Sequence, residues 1–466
     1  MSTSSVSYDV IVIGAGPAGE NVAGRCADGG LRVAIIEREL VGGECSYWGC
    51  MPSKVLLRPG DVVAAARRVP GAADAVTGAI EVSEVLARRD ATVSNYDDKG
   101  QLPWLEGKGI TLVRGAARLD GVRRVVVTTG QESTSYVAAH AVVIATGTSA
   151  AIPPIPGLRE SAPWDNRQVT GTKSVPRRLL VLGGGAIGAE MAQALRRLGS
   201  EEVTIVEGLD RLLPREEPFA GDELAAAFTA EGIAVITGVA MAAVRREGVD
   251  GPVTATLADG RELVADEILV AVGRRPATAE LGLETVGLEP GRFVPVDDQL
   301  RAIGVSDGWL YSVGDCNGRS LLTHMGKYQA RLAGDTILGR QVAATADHGV
   351  VPRVTFTDPQ IAAVGLTEAQ AREQGTPVRT VEAQIGSVAG AYTLGDGIKG
   401  TAKLVVDEDR RLIVGATFTG PGVAELLHSA TVAIAGDVTL DQLWHAVPSF
   451  PTLSEVWLRL LEAYGL

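Results

Sequence analysis

Two glycine-rich turns, each set between a buried strand and a helix, constrain the fold of this chain more than any other feature of its sequence. The first turn follows the apolar run YDVIVIG and precedes a helix and the strand RVAIIE. The same order recurs downstream in RRLLVLGGGAIGAEMAQALRRLG and EEVTIVE. Each set predicts a βαβ unit with a parallel sheet. We therefore expect two nucleotide-binding domains.

The first turn reads Gly14-Ala-Gly16-Pro-Ala-Gly19, and the strand after the helix ends at Glu37. Glycines at this spacing permit a tight turn and bring backbone N–H groups close to a pyrophosphate at the helix N-terminus. The carboxylate can accept hydrogen bonds from a ribose. Strand, helix and carboxylate together predict a dinucleotide site, whereas the glycines alone would fit an ordinary turn.

The second turn reads Gly183-Gly-Gly185-Ala-Ile-Gly188, and its second strand is closed by Glu207. An acid at this place favours the free 2′-hydroxyl of NAD(H) and repels the 2′-phosphate of NADP(H). Arg211 follows four residues later and would soften that preference. We therefore expect NAD(H) to be favoured over NADP(H).

A cysteine pair, Cys45 and Cys50, lies shortly after the first βαβ unit, and Lys54 follows it. A zinc site needs two further ligands, and the sequence has no other Cys or His nearby, so no metal site is predicted. The spacing leaves two interpretations open, a redox-active pair and two inert core cysteines. On a helix, Lys54 would stand one turn from Cys50, where a cation favours a thiolate or a reduced flavin.

Length and charge exclude several classes of protein. A chain of 466 residues is too long for a single core, so several domains are expected. The net charge of −13 argues against nucleic acid as a main partner. No stretch approaches the roughly 18 apolar residues of a membrane span, and the N-terminus lacks the layout of a secretory signal, so we expect a cytoplasmic protein. From about residue 350, strand-like runs and two helices predict a separate α+β domain.

The segment GGECSYWGCMPSK resembles the GGTCxxxGCxPSK signature of the pyridine nucleotide–disulfide oxidoreductases, the family of dihydrolipoamide dehydrogenase, glutathione reductase and mercuric reductase. Further motifs of that family follow in its order across nearly the whole chain: ATGT at 145–148, VGRRP at 272–276, YSVGDC at 311–316, TFTDPQIAAVGLTE at 355–368 and FPTLSE at 450–455.

The resemblance implies an α/β fold with two Rossmann-like nucleotide-binding domains and a C-terminal α+β dimerisation domain. It implies a discontinuous FAD-binding domain at 1–150 and 275–346, an NAD(P)-binding domain at 151–274 and a dimerisation domain at 347–466. The active protein would be a homodimer.

The resemblance also implies roles for single residues. FAD would lie on the first glycine turn, with Glu37 at its adenosine ribose and Asp315 near its ribityl chain. Cys50 would be the charge-transfer thiol next to the flavin and Cys45 the interchange thiol facing the substrate. Lys54 would pair with Glu190 beside the flavin. Further cofactor-binding positions implied by the resemblance are Gly43, Gly115, Ala116, Thr146, Gly147 and Gly273.

The chain departs from the family near its C-terminus. Disulfide-reducing members carry His-Pro-Thr-x-Ser-Glu there, and this sequence has Phe450 in place of the histidine. Phenylalanine cannot transfer a proton, and such assistance is typically worth about 10²–10⁴ in rate.

The resemblance places Glu455, which orients that histidine in the family, among the catalytic residues; without the histidine it also fits a relic of that role or a simple surface acid. His445 would replace the histidine only if its loop folded back. Trp48, bulkier than the family pattern, would narrow the access of large disulfides or pack against the flavin.

These observations predict an FAD-dependent NAD(P)H oxidoreductase with a working Cys45–Cys50 pair and a small electron acceptor, such as a quinone or another redox-active metabolite. One alternative is dihydrolipoamide dehydrogenase acting on a lipoyl-bearing partner. Others are an oxidase of dithiols or reduced heterocycles in specialised metabolism and a non-enzymatic flavoprotein subunit. Mercuric reductase and the large thioredoxin reductases are disfavoured, because the sequence has no cysteine pair near its C-terminus.

Overall fold

The computed structural model describes residues 6–249 and 251–466 of the chain. Its strands, in chain order, are β1 (Val6–Ile13), β2 (Val33–Glu37), β3 (Thr111–Arg114), β4 (Ala116–Leu119), β5 (Arg124–Thr129), β6 (Glu132–Ile144), β7 (Thr148–Ala150), β8 (Arg178–Leu182), β9 (Glu202–Val206), β10 (Ile233–Ile236), β11 (Met241–Arg246), β12 (Val253–Leu257), β13 (Glu262–Ala265), β14 (Glu267–Val270), β15 (Arg274–Pro276), β16 (Leu310–Ser312), β17 (Arg353–Thr355), β18 (Gln360–Gly365), β19 (Val378–Gln384), β20 (Thr401–Asp407) and β21 (Leu412–Gly420).

The α-helices, in chain order, are α1 (Pro17–Asp28), α2 (Gly43–Tyr47), α3 (Cys50–Arg67), α4 (Ala72–Ala75), α5 (Val82–Thr92), α6 (Leu102–Gly107), α7 (Asn166–Gly171), α8 (Ala186–Arg197), α9 (Pro218–Ala230), α10 (Thr323–Ile337), α11 (Glu368–Glu373), α12 (Ala389–Leu394), α13 (Val423–Ala435), α14 (Leu440–Trp444) and α15 (Val456–Tyr464). Short 3-10 turns lie at Ser94–Tyr96, Leu283–Val286, Ser306–Gly308, Asp315–Asn317, Thr345–His348, Ile385–Ser387 and Leu453–Glu455.

The chain divides into two compact units, each made of three segments. The first unit comprises the residues up to Pro52, Asp90–Ala150 and Gly273–His348, and the second comprises Ser53–Arg89, Ala151–Val272 and Gly349–Leu466. The domain limits expected from the sequence stay a prediction.

The first unit is built on a sheet whose parallel strands run in the order β3-β2-β1-β6, with β16 parallel to the end of β6. Strands β5 and β4 extend this sheet in antiparallel fashion. The apolar residues of the second half of β1, from Val10 to Ile13, are buried, as expected for a central parallel strand. Because Ile13 pairs with Ile144, the glycine turn after β1 lies beside the ATGT segment after β6. This edge, at the carboxyl ends of the strands, is where such sheets bind ligands.

The second unit contains a parallel sheet in the order β10-β9-β8-β14. The second glycine turn of the chain follows β8, just as the first glycine turn follows β1 in the first unit. A three-stranded antiparallel sheet, β11-β12-β13, belongs to the same unit. Its last segment forms an antiparallel sheet in the order β17-β18-β21-β20-β19, on which α13 and α15 pack through a buried apolar core.

The predicted fold class is confirmed: two βαβ-based nucleotide-binding folds are followed by an α+β domain. Both predicted βαβ units and both C-terminal helices lie where the apolar pattern put them. Within the described residues, no helix has both the length and the apolar character needed to cross a bilayer.

Candidate active site

The first glycine turn joins β1 to α1 within the first unit. Gly14 has a φ of +101°, and a Cβ at this position would lie 2.5 Å from the carbonyl oxygen of Ala145. A Cβ on Gly19 would collide with the carbonyl oxygen of Gly14. A Cβ on Gly16, by contrast, would meet only the Cα of Gly43 at 3.9 Å. The space beside Gly16 at the N-terminus of α1 is therefore open, and N–H groups of the first turn, which have no partner within the helix, can receive a phosphate there.

Glu37 fixes the shape of this turn. One oxygen of its carboxylate accepts a hydrogen bond from the N–H of Ala15 at 2.8 Å, and the other accepts from the N–H of Glu39 at 2.7 Å. Gly115, which has a φ of +147° and precedes Ala116 at the start of β4, donates its N–H to the Glu37 carbonyl at 3.1 Å. The predicted contact between Glu37 and a ribose stays a prediction.

Asp315 lies at the same edge of the sheet, in a polar cluster that the sequence reasoning did not assemble. The hydroxyl of Thr148 donates to its carboxylate at 2.8 Å, and Arg274 Nε donates to that hydroxyl at 2.6 Å. Arg274 also lies 3.6 Å from the carboxylate of Glu44, the residue before Cys45. Burial raises the pKa of the Asp315 carboxyl.

Thr146 gives an independent sign of a ligand here. Its hydroxyl is buried and, among the described residues, has no hydrogen-bond partner. Buried hydroxyls are normally paired, so this oxygen suits a group from outside the chain. Added Cβ atoms on Gly147 and Gly273 would meet nothing within 4 Å. These features fit the FAD expected from the sequence, and the residues that would hold it are those of the first glycine turn, Thr146 and Asp315.

The cysteine pair spans the junction of two helices: Cys45 lies in α2, and Cys50 begins α3. Both are thiols in this structure. Cys50 is exposed and its sulfur lies 3.4 Å from the hydroxyl of Thr323, whereas Cys45 is half-buried. The hydrogen bond with Cys50, followed by burial, raises the pKa of the Cys45 thiol well above its usual range. Cys45 therefore holds its proton firmly, and a base is needed before it can attack a substrate.

Lys54 and Glu190 meet in the second unit. The Lys54 ammonium lies 2.7 Å from one oxygen of the buried Glu190 carboxylate, and the other oxygen accepts the N–H of Phe356 at 2.9 Å. The ammonium also lies 4.7 Å from the centre of the Phe356 ring, in cation–π geometry. The structure thus brings together the pair expected from the sequence, and its role towards a flavin stays a prediction.

The second glycine turn repeats the first. Gly183 has a φ of +109°, and a Cβ on Gly188 would collide with the Gly183 carbonyl oxygen. Gly185, at the start of α8, has nothing within 4 Å of an added Cβ. Glu207 accepts hydrogen bonds from the N–H groups of Gly184 at 2.7 Å and of Leu209 at 2.9 Å, as Glu37 does in the first turn.

Arg211, expected to soften the discrimination by Glu207, donates to the Pro214 carbonyl at 3.1 Å. This hydrogen bond occupies one end of its guanidinium. The preference between NAD(H) and NADP(H) stays a prediction.

The C-terminal motif carries no proton donor at Phe450, whose side chain is 77% exposed. Glu455 in the same motif is buried. Its carboxylate accepts hydrogen bonds from the N–H of Ala389 at 3.2 Å and from Arg459 at 2.6 Å. Through these hydrogen bonds Glu455 connects α12 with α15, so it is not a simple surface acid. Its catalytic role stays a prediction. His445 is exposed at the end of α14.

Sequence reasoning missed several residues that contact the predicted site residues within each unit. Arg274 and Thr148 stand inside the VGRRP and ATGT motifs, so a signal for them existed in the family order. Phe356 stands likewise inside TFTDPQ. Tyr96, which contacts the loop between the cysteines, lies outside every motif and had no such signal.

The comparisons with known proteins agree with this geometry. The family model described as Pyridine nucleotide-disulphide oxidoreductase matches residues 8–330, and the dimerisation domain of the same family matches residues 351–460. Dihydrolipoyl dehydrogenase from Thermus scotoductus is 34% identical over 464 residues, which cover 98% of this chain and 97% of that relative. Mercuric reductase from Staphylococcus aureus is 32% identical over 453 residues, which cover 96% of this chain and 81% of that relative.

Two solved structures are similar over almost their full length. The Cu(II) complex of the HOCl-induced flavoprotein disulfide reductase RclA from Escherichia coli has a TM-score of 0.86 at 26% identity, covering 98% of this chain and 99% of that one. LpdA from Mycobacterium tuberculosis also has a TM-score of 0.86 at 26% identity, covering 99% of this chain and all (100%) of that one.

Proposed function

The chain belongs to the pyridine nucleotide–disulphide oxidoreductase family, and we propose that it passes electrons from NADH to bound FAD, which exchanges them with the Cys45–Cys50 pair and delivers them to a small acceptor such as a quinone or another redox-active metabolite. The family consists of FAD-dependent enzymes that use NAD(P)H, so this chain is an oxidoreductase of that kind. Its dimerisation domain indicates a homodimer. Bound FAD supplies the two-electron chemistry between the nicotinamide and the cysteines.

The first unit supports the FAD part of this proposal. Its glycine turn leaves open space beside Gly16 at the N-terminus of α1, and Thr146 offers a buried hydroxyl with no partner among the described residues. Asp315 adds a carboxyl whose pKa is raised by burial. We assign the pyrophosphate to the turn and the polar chain of the cofactor to Asp315.

The Lys54–Glu190 pair supports the reductive part. Glu190 is itself held by the N–H of Phe356, so the ammonium of Lys54 has a fixed position in the second unit. A fixed cation stabilises negative charge where it develops during reduction. We assign to this pair the role that the resemblance implies, support of the reduced cofactor.

Phe450 carries the proposal about the acceptor. Cys45 holds its proton firmly because its pKa is raised, so exchange with an ordinary disulfide requires a base. The family's base in this motif is a histidine, and Phe450 cannot take a proton. An acceptor that takes electrons without thiol exchange avoids this requirement. A quinone or another small redox-active metabolite has that chemistry.

A panel of acceptors tests the proposal. We expect steady-state turnover with NADH and quinones to exceed turnover with small disulfides, and NADH to be preferred to NADPH. Phe450→His should raise activity with dihydrolipoamide or a small disulfide by about 10²–10⁴, the usual worth of a placed acid–base group. Phe450→Leu serves as the matched control and should leave that activity low.

Dihydrolipoamide dehydrogenase is the second candidate. It is favoured by the 34% identity to a relative named dihydrolipoyl dehydrogenase over 97% of that relative. The same panel decides between the two. Substantial wild-type activity with dihydrolipoamide and NAD, equal to that of Phe450→His, would show that Phe450 does not block this substrate and would favour the second candidate over the first.

A further inference from the structure

An aromatic stack joins the loop between the two cysteines to a turn of the first unit that is far from it in the sequence but adjacent in space. Trp48 lies between Cys45 and Cys50, and its ring stacks on Tyr96 with centroids 5.9 Å apart and planes at 26°. The ring of Tyr47 also packs against Trp48, with ring centroids 5.7 Å apart. The Tyr47 hydroxyl donates a hydrogen bond to the Val41 carbonyl at 3.0 Å. The short connection that separates the cysteines is therefore anchored by its largest side chain.

The turn that presents Tyr96 has an unfavourable backbone. Ser94, Asn95 and Tyr96 have φ values of 50°, 52° and 60°, so three successive residues other than glycine adopt the left-handed region. Each such residue costs free energy, and runs of them are rare. Strain of this kind persists only where the surrounding structure imposes it, and it is concentrated at functional sites.

Tyr96 carries a second cost. Its hydroxyl is buried and, within the described residues, has no hydrogen-bond partner. A phenylalanine would supply the same ring without that unpaired group. Both the backbone conformation and the side chain of Tyr96 therefore cost free energy of folding. The ring contact that accompanies these costs is the stack on Trp48.

The same segment holds the start of the cysteine loop. Asp98, two residues after Tyr96, accepts a hydrogen bond from the N–H of Val41 at 2.7 Å and pairs with Arg114 at 2.5 Å. Residues 96–98 therefore fix the stretch from Val41 to Trp48 at both of its ends. This arrangement limits how far the loop can move when the sulfurs change their bonding.

We propose that Tyr96 is a positioning residue for the redox-active pair: through its stack on Trp48 it holds the connection between Cys45 and Cys50 in the conformation of the dithiol. The inference rests on the proposed function of the pair. Oxidation of the two thiols forms one S–S bond of about 2.05 Å and releases two protons and two electrons, which bound FAD accepts. The stack is present with both residues as thiols. Closing the S–S bond would require the connection between the sulfurs to move, and the stack resists that movement, so the proposal is that the stack stabilises the reduced form against the disulfide.

The consequence is a shift in the dithiol–disulfide equilibrium. An aromatic pair of this geometry is worth a factor of about 2 to 10 in an equilibrium constant. Loss of the stack should therefore disfavour the dithiol by about 2-fold to 10-fold, which lowers the two-electron midpoint potential of the pair by about 10 to 30 mV. Tyr96→Phe keeps the stack, so its potential should equal that of the wild type while its melting temperature rises.

The experiment compares Tyr96→Leu, Tyr96→Phe and wild type as FAD-loaded full chains. The potential of the pair is measured by equilibration with dithiothreitol redox buffers, and the thiols are counted by alkylation with iodoacetamide. Tyr136→Leu is the matched control, because it breaks the Tyr8–Tyr136 ring pair, with centroids 6.4 Å apart, elsewhere in the first unit. It should leave the potential unchanged.

Equal potentials for Tyr96→Leu and wild type would overturn the inference, as would the same shift in Tyr136→Leu. If Tyr96→Leu fails to fold, Trp48→Leu removes the other ring of the stack. A midpoint potential of Trp48→Leu equal to that of wild type would then overturn the inference. A wild type in which the two thiols do not form and lose a disulfide within the buffer range would instead contradict the proposed function. The two failures are therefore distinguishable.

Discussion

The ammonium of Lys54 lies 2.7 Å from the carboxylate of Glu190, a side chain that is only 5% exposed. Removing one member of such a pair leaves a buried charge without compensation, which is more costly than removing both. Because Lys54 is partly exposed, we expect Lys54→Met to lower the free energy of unfolding by about 1–3 kcal/mol.

The double variant Lys54→Met/Glu190→Gln should be destabilised by less than the sum of the two single variants, since neither then leaves an unpaired charge. Urea denaturation of all four proteins measures this coupling. Additive effects would show that the two side chains do not interact in solution.

Glu207 should determine the choice of nicotinamide cofactor. Its carboxylate fixes the second glycine turn through the N–H of Gly184 and places a negative charge beside it. In Glu207→Gln an amide oxygen can still accept that hydrogen bond, but the charge that repels a 2′-phosphate is lost.

We expect the ratio of kcat/KM for NADPH to that for NADH to rise about 10-fold in Glu207→Gln, which corresponds to about 1.4 kcal/mol. Glu37→Gln makes the same change in the first turn and should weaken retention of FAD without altering this ratio. An unchanged ratio in Glu207→Gln would remove the basis for the expected NADH preference.

Glu20 should make stability depend on pH. Burial raises the pKa of this carboxyl in the first turns of α1 to about 7, with Lys327 lowering it and Glu37 raising it to a smaller extent. A folded pKa above the unfolded value means that the protonated form is favoured by folding. This contribution is complete below pH 4 to 5 and is lost as the pH rises through about 7.

Glu20→Gln removes the ionisation, so it should stabilise the protein at pH 8 relative to pH 5 by about 1–3 kcal/mol compared with wild type. Melting temperatures at the two pH values provide the measurement. A difference between variant and wild type that does not change with pH would show that Glu20 ionises normally.

Glu455 should matter for stability whatever its part in catalysis. It accepts the N–H of Ala389 and pairs with Arg459, so Glu455→Ala leaves a backbone donor and a cation without their partner. We expect a loss of about 1–3 kcal/mol. Arg459→Met removes only the exposed partner and should cost less than about 1 kcal/mol. Equal losses in the two variants would show that the contact with Ala389 contributes nothing.

The parts of this molecule that the sequence predicted are those with short-range causes. A strand, a glycine turn and a helix follow one another within some twenty residues, so Gly14 and Gly183 indicated their turns directly. Lys54 and Glu190 were paired through the family resemblance, although 136 residues separate them. Contacts outside any motif had no such guide. The stack of Tyr96 on Trp48 depends on a left-handed turn at Ser94–Tyr96, and no local sequence pattern predicts that turn.

Glu37 and Glu207 show a subtler limit. The sequence has a carboxylate at the end of the second strand of the first βαβ unit, Glu37, and one directly after the corresponding strand of the second unit, Glu207. The pattern assigned them to a ribose, whereas in the structure each one also binds the N–H groups of its own turn. Such backbone contacts follow from the folded geometry of the turn rather than from residue spacing.

Anaerobic titration with NADH tests the central claim, that Cys45 and Cys50 form the electron-carrying pair. On two-electron reduction we expect a long-wavelength absorbance from the Cys50 thiolate and the oxidised flavin, together with two newly alkylatable thiols. Cys50→Ser should bind FAD normally and lack this absorbance. If wild type and Cys50→Ser instead show the same loss of flavin colour with no long-wavelength absorbance and no gain of thiols, the cysteine pair takes no part in the reaction.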